Sequence, residues 1–370
     1  MLRFYALQAK DGDCLVLEYG KSDNPKFMLI DGGPAQVYPN FLKPFLEDLS
    51  SHGGKLETIL TSHVDDDHIH GLLDLMAEVE KQKGNQEEPI IQIENLWHNT
   101  FENTLGAGTD IATKMNAVFG ASSQSNKVLV NTDMAINSIN QGNKLRRYAK
   151  LIKIPINSLF EHDIITVDEY PDPIKMDNLS LQIVGPTQDN LEKLKDEWLE
   201  WLEENEDKLA GEDAQLAAYA DKSAPNLSSI MILITNQDND RTLLLTGDGR
   251  GDFLIDGLEM QNLLDENGAC HVDCLKIPHH GSNRNVTPKF FEKVKADNYV
   301  ISGAGKHGNP EPDTLSWIVK AAHKDERKIK IYVTNETDGT KELRRNYSED
   351  EYGYQLITMD KEDYYFSLDL

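Results

Sequence analysis

Basic residues are scarce. The 370-residue chain carries 37 Lys and Arg against 63 Asp and Glu, a formal net charge of −26. Such a surface repels polyanions at long range, which disfavours generic duplex DNA binding. It does not exclude a nuclease, because bound cations reverse the sign locally. Cysteine is scarce as well. Cys14, Cys270 and Cys274 are an odd number at irregular spacing, which argues against a disulfide framework. Cys274 reads as a core residue of a strand, since a buried free thiol behaves as a small hydrophobe. No run approaches the roughly 18 uninterrupted apolar residues that a membrane span needs, so no membrane partner is expected. Residues 1–7 lack the long apolar stretch and cleavage site of a secretory leader and read as a first strand. The expected compartment is the cytoplasm.

The 39% hydrophobic content is ordinary for a globular protein, and the length suffices for a large core. Apolar runs punctuated by Gly, Asp and Asn predict strands over 3–7, 14–19, 26–30, 58–61, 164–167, 179–184, 229–234, 242–246, 272–277 and 298–302. Helical spacing appears over 39–52, from His68 onward, over 251–266 and after Pro288. Residues 81–95 read as loop. One domain over 1–370 is expected, with insertions at about 81–160 and at an acidic helical stretch, 188–224. The acidic face of 189–222 reads first as a solvated surface. Its sharper reading is a docking face for a basic protein partner or a lid over the site.

The densest signal is Thr61-Ser62-His63-Val64-Asp65-Asp66-Asp67-His68-Ile69-His70-Gly71. A strand ends and runs straight into His and Asp side chains. Imidazole and carboxylate together suit zinc, and an oxygen-rich set shifts toward manganese. So many charges beside a buried strand cost stability unless cations neutralise them. An Asp-rich helix cap explains fewer of them.

This segment resembles the signature of the metallo-β-lactamase superfamily, His-x-His-x-Asp-His after a strand. It is most similar to the variant with Asp for the second His, as in the hydrolase domain of ComEC-type DNA-uptake competence proteins. Asp11-Gly12-Asp13-Cys14, Leu29-Ile30-Asp31-Gly32-Gly33, Asn226-Leu227-Ser228-Ser229-Ile230, Leu245-Thr246-Gly247-Asp248, Leu275-Lys276-Ile277-Pro278-His279-His280-Gly281-Ser282, His307-Gly308-Asn309-Pro310 and residues 332–339 resemble further motifs of the family, in its order. The resemblance implies an α/β fold: a four-layer αββα sandwich, two mixed sheets flanked by helices. It implies two divalent metal ions, Zn or Mn. One is held by His63, Asp65 and whatever fills the family's middle-His position. The other is held by Asp67, His68 and one of His279 and His280. Asp248 bridges both, and Asp31 orients a ligand from behind. The chain departs from the family twice. No His stands between 184 and 230, where Asn226 or Ser228 takes the place, and Asn309 stands where Gly-His-Pro is usual, with His307 two residues earlier.

The resemblance and the Asp-rich ligand set imply a metal-dependent phosphodiesterase or nuclease acting on a phosphodiester, a nucleic acid or a nucleotide. Asp65 or Asp67 would handle the nucleophile's proton, with Ser282 and Arg284 as phosphate contacts. The alternatives are a small-molecule ester, lactone or phosphoester hydrolase, and a metal-binding interaction subunit of a bacterial multi-protein system.

Overall fold

The computed structural model describes residues 1–99, 133–161, 164–193, 196 and 228–370. The strands are β1 (Leu2–Leu7), β2 (Leu15–Lys21), β3 (Asn24–Ile30), β4 (Leu56–Thr61), β5 (Leu96–His98), β6 (Ile174–Met176), β7 (Leu179–Gly185), β8 (Met231–Asn236), β9 (Thr242–Leu245), β10 (Cys270–Lys276), β11 (Val294–Ile301), β12 (Ile329–Val333), β13 (Tyr354–Thr358) and β14 (Tyr365–Asp369). The helices are α1 (Lys43–Ser51), α2 (Asp66–Gly84), α3 (Asp133–Ile152), α4 (Gly251–Met260), α5 (Pro288–Lys293), α6 (Pro312–Lys324), α7 (Asp338–Asn346) and α8 (Glu349–Tyr352).

The strands form a six-stranded sheet, β14-β1-β2-β3-β4-β5, and an eight-stranded sheet, β13-β12-β11-β10-β9-β8-β7-β6. Both are mixed. The first turns parallel at β3–β4–β5, and the second is parallel from β9 to β13. The period-2 alternation of strand side chains sorts the apolar residues into three cores. Val16, Leu29 and Ile59 meet α1, α2 and α3 on one side. Leu15, Leu17, Met28, Ile30 and Leu60 face Ile232, Ile234, Leu243, Leu245, Cys274 and Val300 of the other sheet. Leu244, Leu275, Tyr299 and Ile331 meet α4, α5, α6 and α7 on the far side. Helix, sheet, sheet, helix is therefore the layer order, and the middle core holds two sheets face to face.

Several local readings change. α2 starts at Asp66, just before the expected start at His68, and runs through 81–84, which read as loop. The helix read over 251–266 stops at Met260. Residues 164–167 are not a strand. Ile165 and Val167 are buried as a strand's residues would be. Yet the Asn99 amide brackets Ile165, accepting from its N–H at 2.7 Å and donating to its carbonyl at 2.8 Å, and Val167 N–H donates to Pro186 O at 2.9 Å. A side chain thus satisfies the backbone groups that a neighbouring strand would otherwise take. Most of the acidic 189–222 stretch and Asn226 lie outside the described residues. No helix among the described residues is long and apolar enough to cross a membrane.

Candidate metal centre

The functional side chains gather where strands end. β3 ends before Asp31, β4 before the 62–68 loop, β9 before Asp248, β10 before His279 and His280, and β11 before Ser302. Parallel neighbours place their carboxyl ends on one side, which is why these loops lie together. The entry of α2 is set by contact with the turn after β3. A Cβ on Gly71 would sit 2.0 Å from Gly32 O, so only glycine lets this helix approach. Gly32 N–H donates to His68 O at 2.7 Å and fixes the first turn.

Four groups converge. Ligand atoms of Asp67, His68, Asp248 and His280 all lie within 4.8 Å of one another. His68 Nε2 is 3.2 Å from Asp248 Oδ1, and His280 Nε2 is 3.5 Å from Asp67 Oδ2 and 3.6 Å from Asp248 Oδ2. A second set flanks the same Asp248. His63 Nε2 is 3.7 Å from Asp65 Oδ2 and 4.0 Å from Asp248 Oδ2, and His279 Nε2 is 3.6 Å from Asp248 Oδ2. The side chains of His63, His68, Asp248 and His280 are at most 5% exposed, whereas Asp65, Asp67 and His279 keep 25%, 34% and 31%. The floor is buried, and the open front carries Asp65, Asp67 and His279.

The ring nitrogens facing away from the centre are engaged. His68 Nδ1 lies 2.8 Å from Asp31 Oδ2, and His280 Nδ1 lies 2.9 Å from Ser302 O. Ser62 donates to Asp31 from its N–H at 2.8 Å and its hydroxyl at 2.5 Å, so Asp31 is fixed before it fixes His68. His63 Nδ1 is 3.1 Å from Ser62 Oγ. Among the described residues the inward atoms have no hydrogen-bond partner: His63 Nε2, His68 Nε2, His280 Nε2 and Asp248 Oδ1 are buried and unsatisfied. Buried polar atoms are rarely left so. Imidazole lone pairs and a carboxylate converging on one space fit a divalent cation, with outer hydrogen bonds selecting the Nε2-facing tautomers.

The charges agree. Burial lowers the proton affinity of His68, but Asp248, Asp31 and Asp67 outweigh it and raise its pKa well above the usual imidazole range. His280 is pushed up to about 10 against its burial, chiefly by Asp248 and Asp13. Burial raises Asp248, yet His68, His280 and His279 hold it well below the usual carboxylate range. Without a cation the carboxylates draw protons onto the imidazoles, and a cation performs the same neutralisation.

No protein-family model matches the chain, and no curated protein does. Solved structures resemble it. The metallo-β-lactamase fold protein YhfI from Bacillus subtilis is similar over 99% of this chain and 100% of its own, at 10% identity and a TM-score of 0.41. A diphosphatase of the PhnP family is similar over 100% of this chain and 98% of its own, at 12% identity and a TM-score of 0.40. The BLEG-1 B3 metallo-β-lactamase is similar over 69% and 83%, at 10% identity and a TM-score of 0.28. The four-layer architecture stands on the sheet order and the three cores.

The remaining candidates are spread around this centre. Ser282 is buried and its hydroxyl accepts from Arg284 N–H at 3.4 Å, while the Arg284 side chain is exposed. His307 is exposed on a loop tied down by Asp11, whose Oδ1 accepts from Ala304 N–H and Lys306 N–H. Asn309 donates to His279 O at 3.3 Å. Ser228 is half-buried. Sequence reasoning missed Ser62, Ser302, Asn285 and Asp13. Asn285 Oδ1 lies 2.8 Å from His279 Nδ1. Asp13 lies 3.5 Å from His280 Nδ1 and 3.9 Å from His68 Nδ1, and Lys276, His280 and His68 hold it down at about 2 against its burial. Its signal was a carboxylate just before a strand, within the Asp11-Gly12-Asp13-Cys14 motif, which reads equally well as a turn.

Proposed function

We propose that the chain is a metal-dependent hydrolase that cleaves a phosphoester bond, as a phosphodiesterase or nuclease, with Zn or Mn as cofactor. The observation that carries this reading is the convergence of Asp67, His68, Asp248 and His280 within 4.8 Å of one another at the ends of strands from both sheets, with buried, unsatisfied atoms on His68, Asp248 and His280. Asp67, His68, Asp248 and His280 would hold one ion. His63, Asp65 and Asp248 would hold a second, with His279 beside them. A divalent cation bound there supplies Lewis acidity and brings the pKa of a water toward neutrality.

The chain's own residues do the rest. Asp31 and the Ser302 carbonyl keep two imidazoles aimed inward without using their Nε2 atoms. Asp65 and Asp67, open at the front, can accept the proton of an attacking water, since carboxylates beside cations stay ionised. Arg284 is long enough and free enough in solvent to take a phosphate oxygen pair as a fork. The Asp-rich ligand set suits manganese, and the resemblance of the signature to that of the competence-type domain is what favours a phosphodiester over a lactone.

The test is hydrolysis of bis-p-nitrophenyl phosphate, with a nucleotide and single-stranded nucleic acid panel, by protein loaded with Mn²⁺ or Zn²⁺, against Asp67→Ala. Metal-stimulated cleavage lost in the variant is expected. Cleavage that survives chelation or the substitution would remove the reading, and turnover of esters or lactones alone would move it to a different substrate class.

A further inference from the structure

Lys276 closes β10, three residues before His279, and its side chain is fully buried. A buried ammonium needs partners, because desolvating it costs several kcal/mol. Its Nζ pairs with the Asp13 carboxylate, itself 1% exposed, and donates to Gly247 O at 3.4 Å. Both partners touch the centre. Asp13 sits on the turn between β1 and β2, and its N–H donates to Asp67 O at 3.2 Å. That turn is wedged in place, since a Cβ on Gly12 would meet Asp67 O at 2.0 Å. Gly247 precedes Asp248, and its carbonyl also accepts from His279 N–H at 3.2 Å. One ammonium therefore links the turn behind Asp67 and His68, from the first sheet, to the loop of Asp248 and His279, from the second.

We infer that Lys276 is a positioning residue of the metal centre, which sets the distance between the Asp67–His68 side and the Asp248–His280 side, with Asp13 as its counter-charge. The inference rests on the metal-centre reading. It separates Lys276 from substrate: the ammonium lies behind the ligands, where a phosphate cannot reach it. Its loss should weaken cation binding and leave substrate affinity alone.

The experiment compares Mn²⁺ binding by calorimetry to the metal-free parent and to the double variant Asp13→Asn/Lys276→Met, which preserves the net charge of the pair. Melting of both metal-free proteins and KM for bis-p-nitrophenyl phosphate at saturating Mn²⁺ are measured alongside. Binding about 10–100-fold weaker is expected, as for other partners that orient metal ligands, with KM within about twofold. Affinity within about twofold of the parent overturns the inference, and so does unchanged affinity with a raised KM. If the double variant shows no cooperative melt, Asp13→Glu keeps the charges and lengthens one arm by a methylene. Several-fold weaker binding is then expected, and parent affinity overturns the inference. A parent that binds no Mn²⁺ sinks the metal-centre reading as well, so the two failures are distinguishable.

Discussion

The six-stranded sheet delivers His63, Asp65, Asp67 and His68 from one loop after β4, whereas the eight-stranded sheet delivers Asp248 from the loop after β9 and His279 and His280 from the loop after β10. In the first sheet, the geometry is local. One strand end and one helix start fix four side chains, and Asp65 O takes the N–H groups of His68 and Ile69. In the second, geometry depends on register. Leu243 pairs with Cys274 and Cys274 with Asn298, so the ends of β9, β10 and β11 stand level. The second sheet also accepts unusual backbone at the site, with His279 and His280 at φ 47° and 54°. Such positive φ costs on the order of 1–3 kcal/mol per residue and persists where surroundings enforce it. A dense motif needs little help from the fold, while a dispersed one borrows its precision from the sheet.

Breaking the group common to both sides should have the largest effect. Asp248→Ala is expected to lower kcat/KM by roughly three orders of magnitude, about 4 kcal/mol, with loss of bound metal measured by elemental analysis. Parent-like turnover and metal content would show that the halves do not meet at Asp248. Next comes Asp31, which belongs only to the first half. Asp31→Asn is expected to weaken cation binding by about 10–100-fold while the ligands themselves remain, as read by competition with a chelating dye. An unchanged dissociation constant would detach Asp31 from His68.

The smallest effect sharpens the comparison with a histidine near the centre but outside it. His98, at the end of β5, is fully buried, and neither ring nitrogen has a hydrogen-bond partner among the described residues. Burial, then Arg146, pushes it down to about 3, whereas His68, equally buried among carboxylates, is pushed up. His98 is neutral in the fold and protonates in the unfolded chain near pH 6.5. Its contribution to stability is therefore complete above about pH 6.5 and is lost as pH falls toward 3. Denaturant melts at pH 7, 5 and 4 should show the parent losing stability against His98→Leu as pH drops. A constant difference would sink this account.

The sequence made the first half of the candidate centre legible because its His and Asp side chains are neighbours in the chain, and strands such as 26–30 and 58–61 because their apolar runs are short and bounded. His279 and His280 were equivalent as letters. In space they differ: His280 Nε2 is buried among Asp67 and Asp248, and His279 stands at the open side. Asp13 and Lys276 were harder, since their relation exists only after β1 and β10 are brought face to face. The strand read at 164–167 failed for the converse reason. Its apolar letters were right for burial, but its hydrogen bonds went to the Asn99 side chain, which no local pattern announces.

β1 is flanked by β2 on one side and by β14 on the other, with Arg3 opposite Asp369 and Leu370 N–H donating to Leu2 O at 2.8 Å. The edge of this layer is thus sealed only when a segment far along the chain docks. Until then β1 presents a bare row of amides and carbonyls, the kind of edge that recruits foreign strands. Deleting β14 would remove none of the residues that converge at the candidate metal centre, yet it would leave this border open, and loss of soluble yield would precede loss of chemistry.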